Sequence, residues 1–177
     1  LDGVQQITTF GVPGPLTVFG SSAFPVVVDT AEDKLTTMVA AAKWDKGRLV
    51  AFPHTEYLRD KAAGHANTLR LVMNSIAWAG GGSKAAQAGL KVALVDQRWL
   101  VRQLQGEAIV KELPSEGWVS QLAGADVVVA SLGKCTEPEL AVLEKFVRQG
   151  GGVVSTNLIW GWKQLGQDKG QTDHPAN

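Results

Sequence analysis

The segment VVVASLGKCTEPELAVLEKFVRQGGGVVST, residues 127–156, spells strand, helix and strand in succession. Val127 to Ala130 is a nearly unbroken apolar, β-branched run, the pattern of a sheet strand covered on both faces. Thr136 and Glu139 then fit a capping box, in which hydroxyl and carboxylate take up the donors left free at a helix start. Pro138 falls in the first turn, where its missing N–H does little harm. Leu140, Leu143 and Val147 make the apolar stripe. Gly150 stands where a left-handed cap residue is wanted, and Gly151-Gly152 lead into the strand around Val153-Val154. Two strands joined through a helix predict a parallel pair with a right-handed crossover.

Working outward, the alternation continues upstream. Val92 to Val95 reads as a strand ending at Asp96, and Trp99 to Leu104 as a short helix. Ala108 to Val110 reads as a brief strand, and Trp118 to Leu122 as a second short helix ending at Gly124. Before these, the pattern changes period from His65 onward: Leu69, Val72, Met73, Ile76 and Ala77 recur at helical spacing, in a helix that stops at Gly80-Gly81-Gly82-Ser83. The first third has a different rhythm. Leu16–Phe19 and Ala23–Val28, separated by Gly20-Ser21-Ser22, predict a hairpin, and Pro25 either puts its second strand at an edge or makes residue 25 the first paired position. Thr36–Trp44 and Arg48–Phe52 predict another around Asp45-Lys46-Gly47, with Lys46-Gly47 supplying the positive φ. Glu32 and Asp33 belong to a polar connection between the two hairpins. The expected fold is therefore α/β: a mainly parallel sheet flanked by helices, with an antiparallel, β-rich beginning.

Composition narrows the function classes. The 177 residues are 45% hydrophobic, 19% charged and balanced at seventeen basic against seventeen acidic side chains. A chain of this length buries roughly two-thirds of its unfolded surface and needs no covalent staple. Formal neutrality argues against a broad nucleic-acid surface, which takes clustered positive charge. A lone cysteine, Cys135, rules out an internal disulfide and a cysteine-rich zinc site. No apolar run reaches the roughly 18 residues of a membrane span, so no membrane insertion is expected. Leu1 follows no basic leader, and no signal peptide is expected.

In open parallel sheets, ligands settle beyond the carboxyl ends of the strands. Those ends carry Pro53-His54, Asp96, Ser131–Gly133 and Thr156-Asn157, and Asp96 and Asn157 are the binding candidates there. Short polar residues at strand ends also serve simply as turns and caps. His54 and Glu56 set an imidazole beside a carboxylate, the makings of an acid–base pair. His65 follows, but no H-E-x-x-H occurs, so no metal is expected and no cofactor. Cys135 lies between strand and helix with Gly133 two residues earlier, the setting of a nucleophile elbow. A helix start there would lower the thiol pKa. Glu137, however, crowds the position a second glycine would need. His174-Pro175 resembles the H-P-E of class I glutamine amidotransferases, with Ala176 in place of the glutamate. An imidazole without that carboxylate lacks its orienting partner. Cys135, His174, His54 and Glu56 are thus the catalytic candidates, and an inert thiol is the expected outcome. Gly80–Gly82 and Gly150–Gly152 follow helices rather than opening them, so neither is a phosphate loop. Of six tryptophans, Trp44, Trp78, Trp99 and Trp118 fall in apolar patterns and are expected half-buried. Trp160 and Trp162 flank Gly161 beyond a strand end, where paired rings either cap the open edge of the core or make a protein or carbohydrate contact.

Four segments together carry a family resemblance: LTVFGSSAFPVVVD (16–29), VAAAKWDKGRLVAFPHTEYL (39–58), LAVLEKFVRQGGGVVSTNLIWGW (140–162) and TDHPAN (172–177). In this combination the chain resembles the amino-terminal region of the TRP channel-associated factors and their M60-like, enhancin-type metallopeptidase relatives. The resemblance implies a class I glutamine amidotransferase-like domain over residues 1–177, β-rich through residue 62 and alternating from residue 63, within a longer protein. With the amidotransferase triad incomplete, it implies a non-catalytic domain that binds a protein partner, a membrane channel, on the cytoplasmic side at the plasma membrane. The peptidase relatives imply an alternative: a secreted or surface accessory domain that contacts glycan or substrate.

Overall fold

A computed structural model describes residues 2–12, 14–30, 35–81 and 89–156. Glu32, Asp33 and Ser83, and the candidates Asn157, Trp160, Trp162 and His174, lie outside the described residues. The elements are β1 (Ala23–Asp29), β2 (Thr36–Trp44), β3 (Gly47–Phe52), α1 (Ala66–Ala79), β4 (Lys91–Val95), α2 (Arg98–Leu104), β5 (Ile109–Leu113), β6 (Val127–Ser131), α3 (Glu137–Arg148) and β7 (Gly152–Thr156). All seven strands form one sheet in the order β1-β2-β3-β7-β6-β4-β5. The β1–β2 and β2–β3 pairs are antiparallel, and every pair from β3 across to β5 is parallel. The α/β reading is borne out.

Strand alternation divides the core in two. Val50, Phe52, Leu94, Val129 and Val154 face Leu71 and Ile76 of α1 and Leu100 and Leu104 of α2. Ala93, Val128, Ala130 and Val153 face Leu143 and Val147 of α3 on the opposite side. Helices on both faces explain why β6 and β7 carry almost no polar residue before their ends.

The antiparallel wing departs from expectation. Leu16–Phe19 forms no strand; β1 pairs instead with β2, through the register Ala23↔Ala42 to Asp29↔Thr36. Pairing with β2 ties β1 to the whole sheet. Its edge position, anticipated from Pro25, holds, and the register slips between Pro25 and Val27 and again between Val27 and Val28.

The β2–β3 hairpin forms as expected, but the positive φ belongs to Asp45 (54°) and not to Lys46-Gly47. Gly47 is needed for proximity: a Cβ there would collide with the carbonyl oxygens of Val147 and Gly151. Gly150 does take a positive φ, 112°. In α1 the buried face runs through Thr68, Leu71, Val72, Ser75 and Ile76, rotated from the predicted stripe so that Leu69 is only half-buried. Residues Trp118–Gln121 make a single 3-10 turn in place of the predicted helix. Trp118 is buried, Trp78 and Trp99 are half-buried, and Trp44 is exposed, with the Arg148 guanidinium 5.0 Å from its ring centroid.

Candidate functional site

Because β3, β7, β6, β4 and β5 share one direction, their carboxyl ends open along one edge of the sheet. A crevice of about 590 Å³ lies there. Asp96, Ser131 and Thr156, three of the predicted strand-end positions, line it. Ser131 and Thr156 are register partners on adjacent strands, so both side chains belong to the face shared with Val129 and Val154. Thr156 is 1% exposed, and its Oγ1 has no hydrogen-bond partner among the described residues. Asp96 turns the chain out of β4 with φ at 56°, a left-handed conformation that aspartate tolerates better than most residues. Gln97 beside it is buried, its Oε1 accepting from Trp99 Nε1 at 3.3 Å, and the same indole N–H donates to the Leu58 carbonyl at 2.7 Å.

Cys135 does stand between β6 and α3, and it borders the crevice. Its thiol is nonetheless buried. Desolvation first, and the Glu139 carboxylate second, push its pKa up to about 11. This reverses the lowering expected from the helix start. Burial is the larger cause; the smaller is the Glu139 carboxylate, which accepts from the Thr136 backbone N–H at 2.8 Å and from the Thr136 hydroxyl at 2.9 Å. Those two bonds hold Glu139 below the ordinary glutamate range and put a negative charge where a thiolate would need a positive field.

His54 and Glu56 do not form an acid–base pair. His54 Nδ1 accepts the backbone N–H of Glu56 at 3.1 Å and caps the turn Thr55–Leu58. The Glu56 carboxylate lies 3.5 Å from Arg59 and 3.2 Å from Lys61. Burial lowers the His54 pKa; Glu56 opposes that shift, while Arg59 and Lys61 reinforce it. His65 Nδ1 lies 3.0 Å from the Thr8 hydroxyl, with its ring edge-on to Phe10. Neither imidazole lines the crevice; after β3 that place is taken by Thr55 and Arg59. Among the described residues, no three His, Cys, Asp or Glu side chains are grouped to hold a metal ion.

Ser115, Glu116 and Gly117 also line the crevice and were not anticipated. The available signal was the true end of β5. Lys111 and Glu112 interrupt the apolar run at Val110, yet the strand continues to Leu113 and delivers Pro114-Ser115-Glu116 to the common edge.

Comparison with known proteins identifies the lineage of this arrangement. The family model TCAF_N, described as "TRPM8, N-terminal domain", matches residues 1–177. The chain belongs to this family. It is 29% identical over 180 residues to TRPM8 channel-associated factor 2 of Bos taurus, covering all of this chain and 18% of that protein. It is 28% identical over 158 residues to TRPM8 channel-associated factor 1 of Homo sapiens, covering 89% of this chain and 15% of that protein. The chain thus spans less than a fifth of the length of these relatives. Two solved structures of IMPa share its fold at 14% identity, each over 77% of this chain and 16% of theirs. One, from Pseudomonas aeruginosa, is in complex with an O-glycopeptide (TM-score 0.58), and the other, described as a metallopeptidase, is in complex with T-antigen (TM-score 0.57). The resemblance drawn from the four sequence segments is borne out.

Proposed function

We propose that this TCAF_N domain is a recognition module that associates with a membrane channel and performs no chemistry of its own. The observation that carries the reading is the chain-long match to a family whose curated members are named channel-associated factors. The buried, high-pKa Cys135 supports the non-catalytic part, since a thiol this protonated is a poor nucleophile at neutral pH. The same reading implies a position on the cytoplasmic side, peripheral to the plasma membrane. Among the described residues no helix is long and apolar enough to cross a membrane.

The test is co-purification of the domain with detergent-solubilised TRPM8 channel, the partner in the relatives' names. Equal retention by wild type and Cys135→Ser is expected. A folded wild type that retains no channel would remove the association, and loss on Cys135→Ser alone would remove the non-catalytic claim.

A second reading, an accessory domain contacting glycan, is favoured by the fold shared with IMPa, whose solved complexes hold an O-glycopeptide and T-antigen. Trp160 and Trp162 are its sequence candidates for ring stacking on sugar. Silence of the wild-type domain on an O-glycan array ends this reading. Binding that survives the Trp160→Ala, Trp162→Ala double variant ends the role of the two rings.

A further inference from the structure

We propose that the crevice at the carboxyl ends of the parallel strands receives a cationic side chain, lysine or arginine, presented by a protein partner. The inference deepens the recognition reading above and rests on it for the partner being a protein.

The floor of the crevice supplies the first argument. A buried hydroxyl without a partner is costly, and native proteins leave few of them. Thr156 Oγ1 is such a group, fully buried and unpaired among the described residues, with Ser131 as its register neighbour. A threonine hydroxyl can donate one hydrogen bond and accept two, so it can serve an incoming ammonium or guanidinium as acceptor; the sign of the ligand is chosen by the charges around it.

The rim supplies the second. Among the described residues, Asp96, Glu116 and Glu139 border the crevice together with one guanidinium, Arg59, which is already drawn to Glu56 at 3.5 Å. Anionic ligands meet three carboxylates on entry. A neutral polyol would find hydrogen bonds but leave that field unused. A cation uses both.

The walls supply the third. Val95, Trp118 and Cys135 present apolar surface between rim and floor, suited to the methylene stem of a long basic side chain. At about 590 Å³, the space also admits the backbone that carries it.

The experiment titrates the intact chain with Nα-acetyl-lysine methylamide and, separately, Nα-acetyl-glutamate methylamide, following backbone amide shifts by NMR. Saturable shifts confined to the crevice residues are expected with the lysine compound and none with the glutamate compound. Thr156→Val keeps the side-chain shape and removes the acceptor. It should weaken lysine binding roughly tenfold, the loss of one hydrogen bond to a charged group, with no fall in melting temperature. Asp96→Asn removes a charge while keeping a residue that tolerates the left-handed backbone, and should weaken binding and flatten its salt dependence. No saturable shift with lysine, equal shifts with glutamate, or undiminished lysine binding in Thr156→Val would each overturn the proposal. The channel co-purification is read separately. Channel retained without lysine binding refutes the crevice alone; lysine bound without channel refutes the channel association and leaves the crevice standing.

Discussion

Strands β6 and β7 are buried almost throughout, whereas β1, at the far side of the same sheet, leaves most of its residues exposed or half-buried. The difference follows from what covers each. Helices α1 and α3 sandwich the centre of the parallel block, so its strands are apolar on both faces and their polar residues are pushed to the carboxyl ends. The antiparallel wing is covered less completely, and Phe24, Val28 and Trp44 remain partly open. Dense burial and the crevice thus coincide in one region. If that is the right division, deletions of equal chemistry should cost very different amounts in the two places.

The largest effect tests this directly. Phe52, at 0% exposure on β3, packs within the core and lies 5.8 Å from the Tyr57 ring. Phe52→Ala should cost about 3–5 kcal/mol, against about 1 kcal/mol or less for Phe24→Ala on the edge strand, where the ring is 41% exposed. Urea denaturation of the two variants measures the gap. Similar losses would dissolve the distinction between block and wing.

Next comes the thiol at the crest of the block. A pKa raised from the ordinary 9.0 to about 11 leaves Cys135 with roughly a hundredfold less thiolate at neutral pH than an ordinary thiol. Alkylation by iodoacetamide at pH 8, followed by intact mass, should therefore lag far behind a free cysteine standard and accelerate toward the raised pKa. A rate matching the standard would mean that the crest is open and Cys135 reactive.

The same contrast governs what was legible. The β-branched run at Val127–Val129, the Thr136–Glu139 box and Gly150 announce the parallel block because each is a local device whose spacing carries its meaning. The wing was legible only in its tight hairpin. Pairing of β1 with β2 is decided by which partner anchors the edge to the sheet, a tertiary matter that the Gly20-Ser21-Ser22 turn signal misrepresents. In the crevice, Asp96, Ser131 and Thr156 could be placed by the strand-end rule, because each immediately follows or closes an apolar run. Arg59 and Glu116 could not, since their approach depends on where a 3-10 turn and a polar-looking strand end lead. The unpaired state of Thr156 Oγ1 has no sequence signature.

Smaller effects sharpen the boundary of the block. Thr136→Ala and Glu139→Ala each remove part of the α3 cap, and each should cost about 1 kcal/mol in the same denaturation assay. The Glu139 pKa is lowered in the fold by its bonds to Thr136, so its contribution is present above the ordinary glutamate value of 4.5. It is lost as pH falls through the lower folded value. The stability gap between wild type and Glu139→Gln should accordingly close in acid; a gap constant down to pH 3 would show that the cap does not depend on the charge.

The smallest effect falls where block and wing meet, at the turn after β3. His54 serves there as a neutral cap whose Nδ1 must stay unprotonated to accept the Glu56 N–H. Burial, the largest cause, lowers its pKa from 6.5, and nearby Arg59 and Lys61 add to that against the opposing pull of Glu56. A lowered folded pKa means that the unfolded chain takes up the proton first. The stability tied to His54 is thus complete above 6.5 and declines as pH falls through the folded value. Asn carries an acceptor oxygen suited to the same cap but no titrating group. His54→Asn should match wild type near pH 8 to within about 0.5 kcal/mol and exceed it slightly near pH 5. Thermal melts at the two pH values read this as a change in the sign of the difference in Tm. A variant that trails wild type by the same margin at both would mean that the proton on His54 is immaterial to the turn, and that Thr55 and Arg59 are held at the crevice by other contacts.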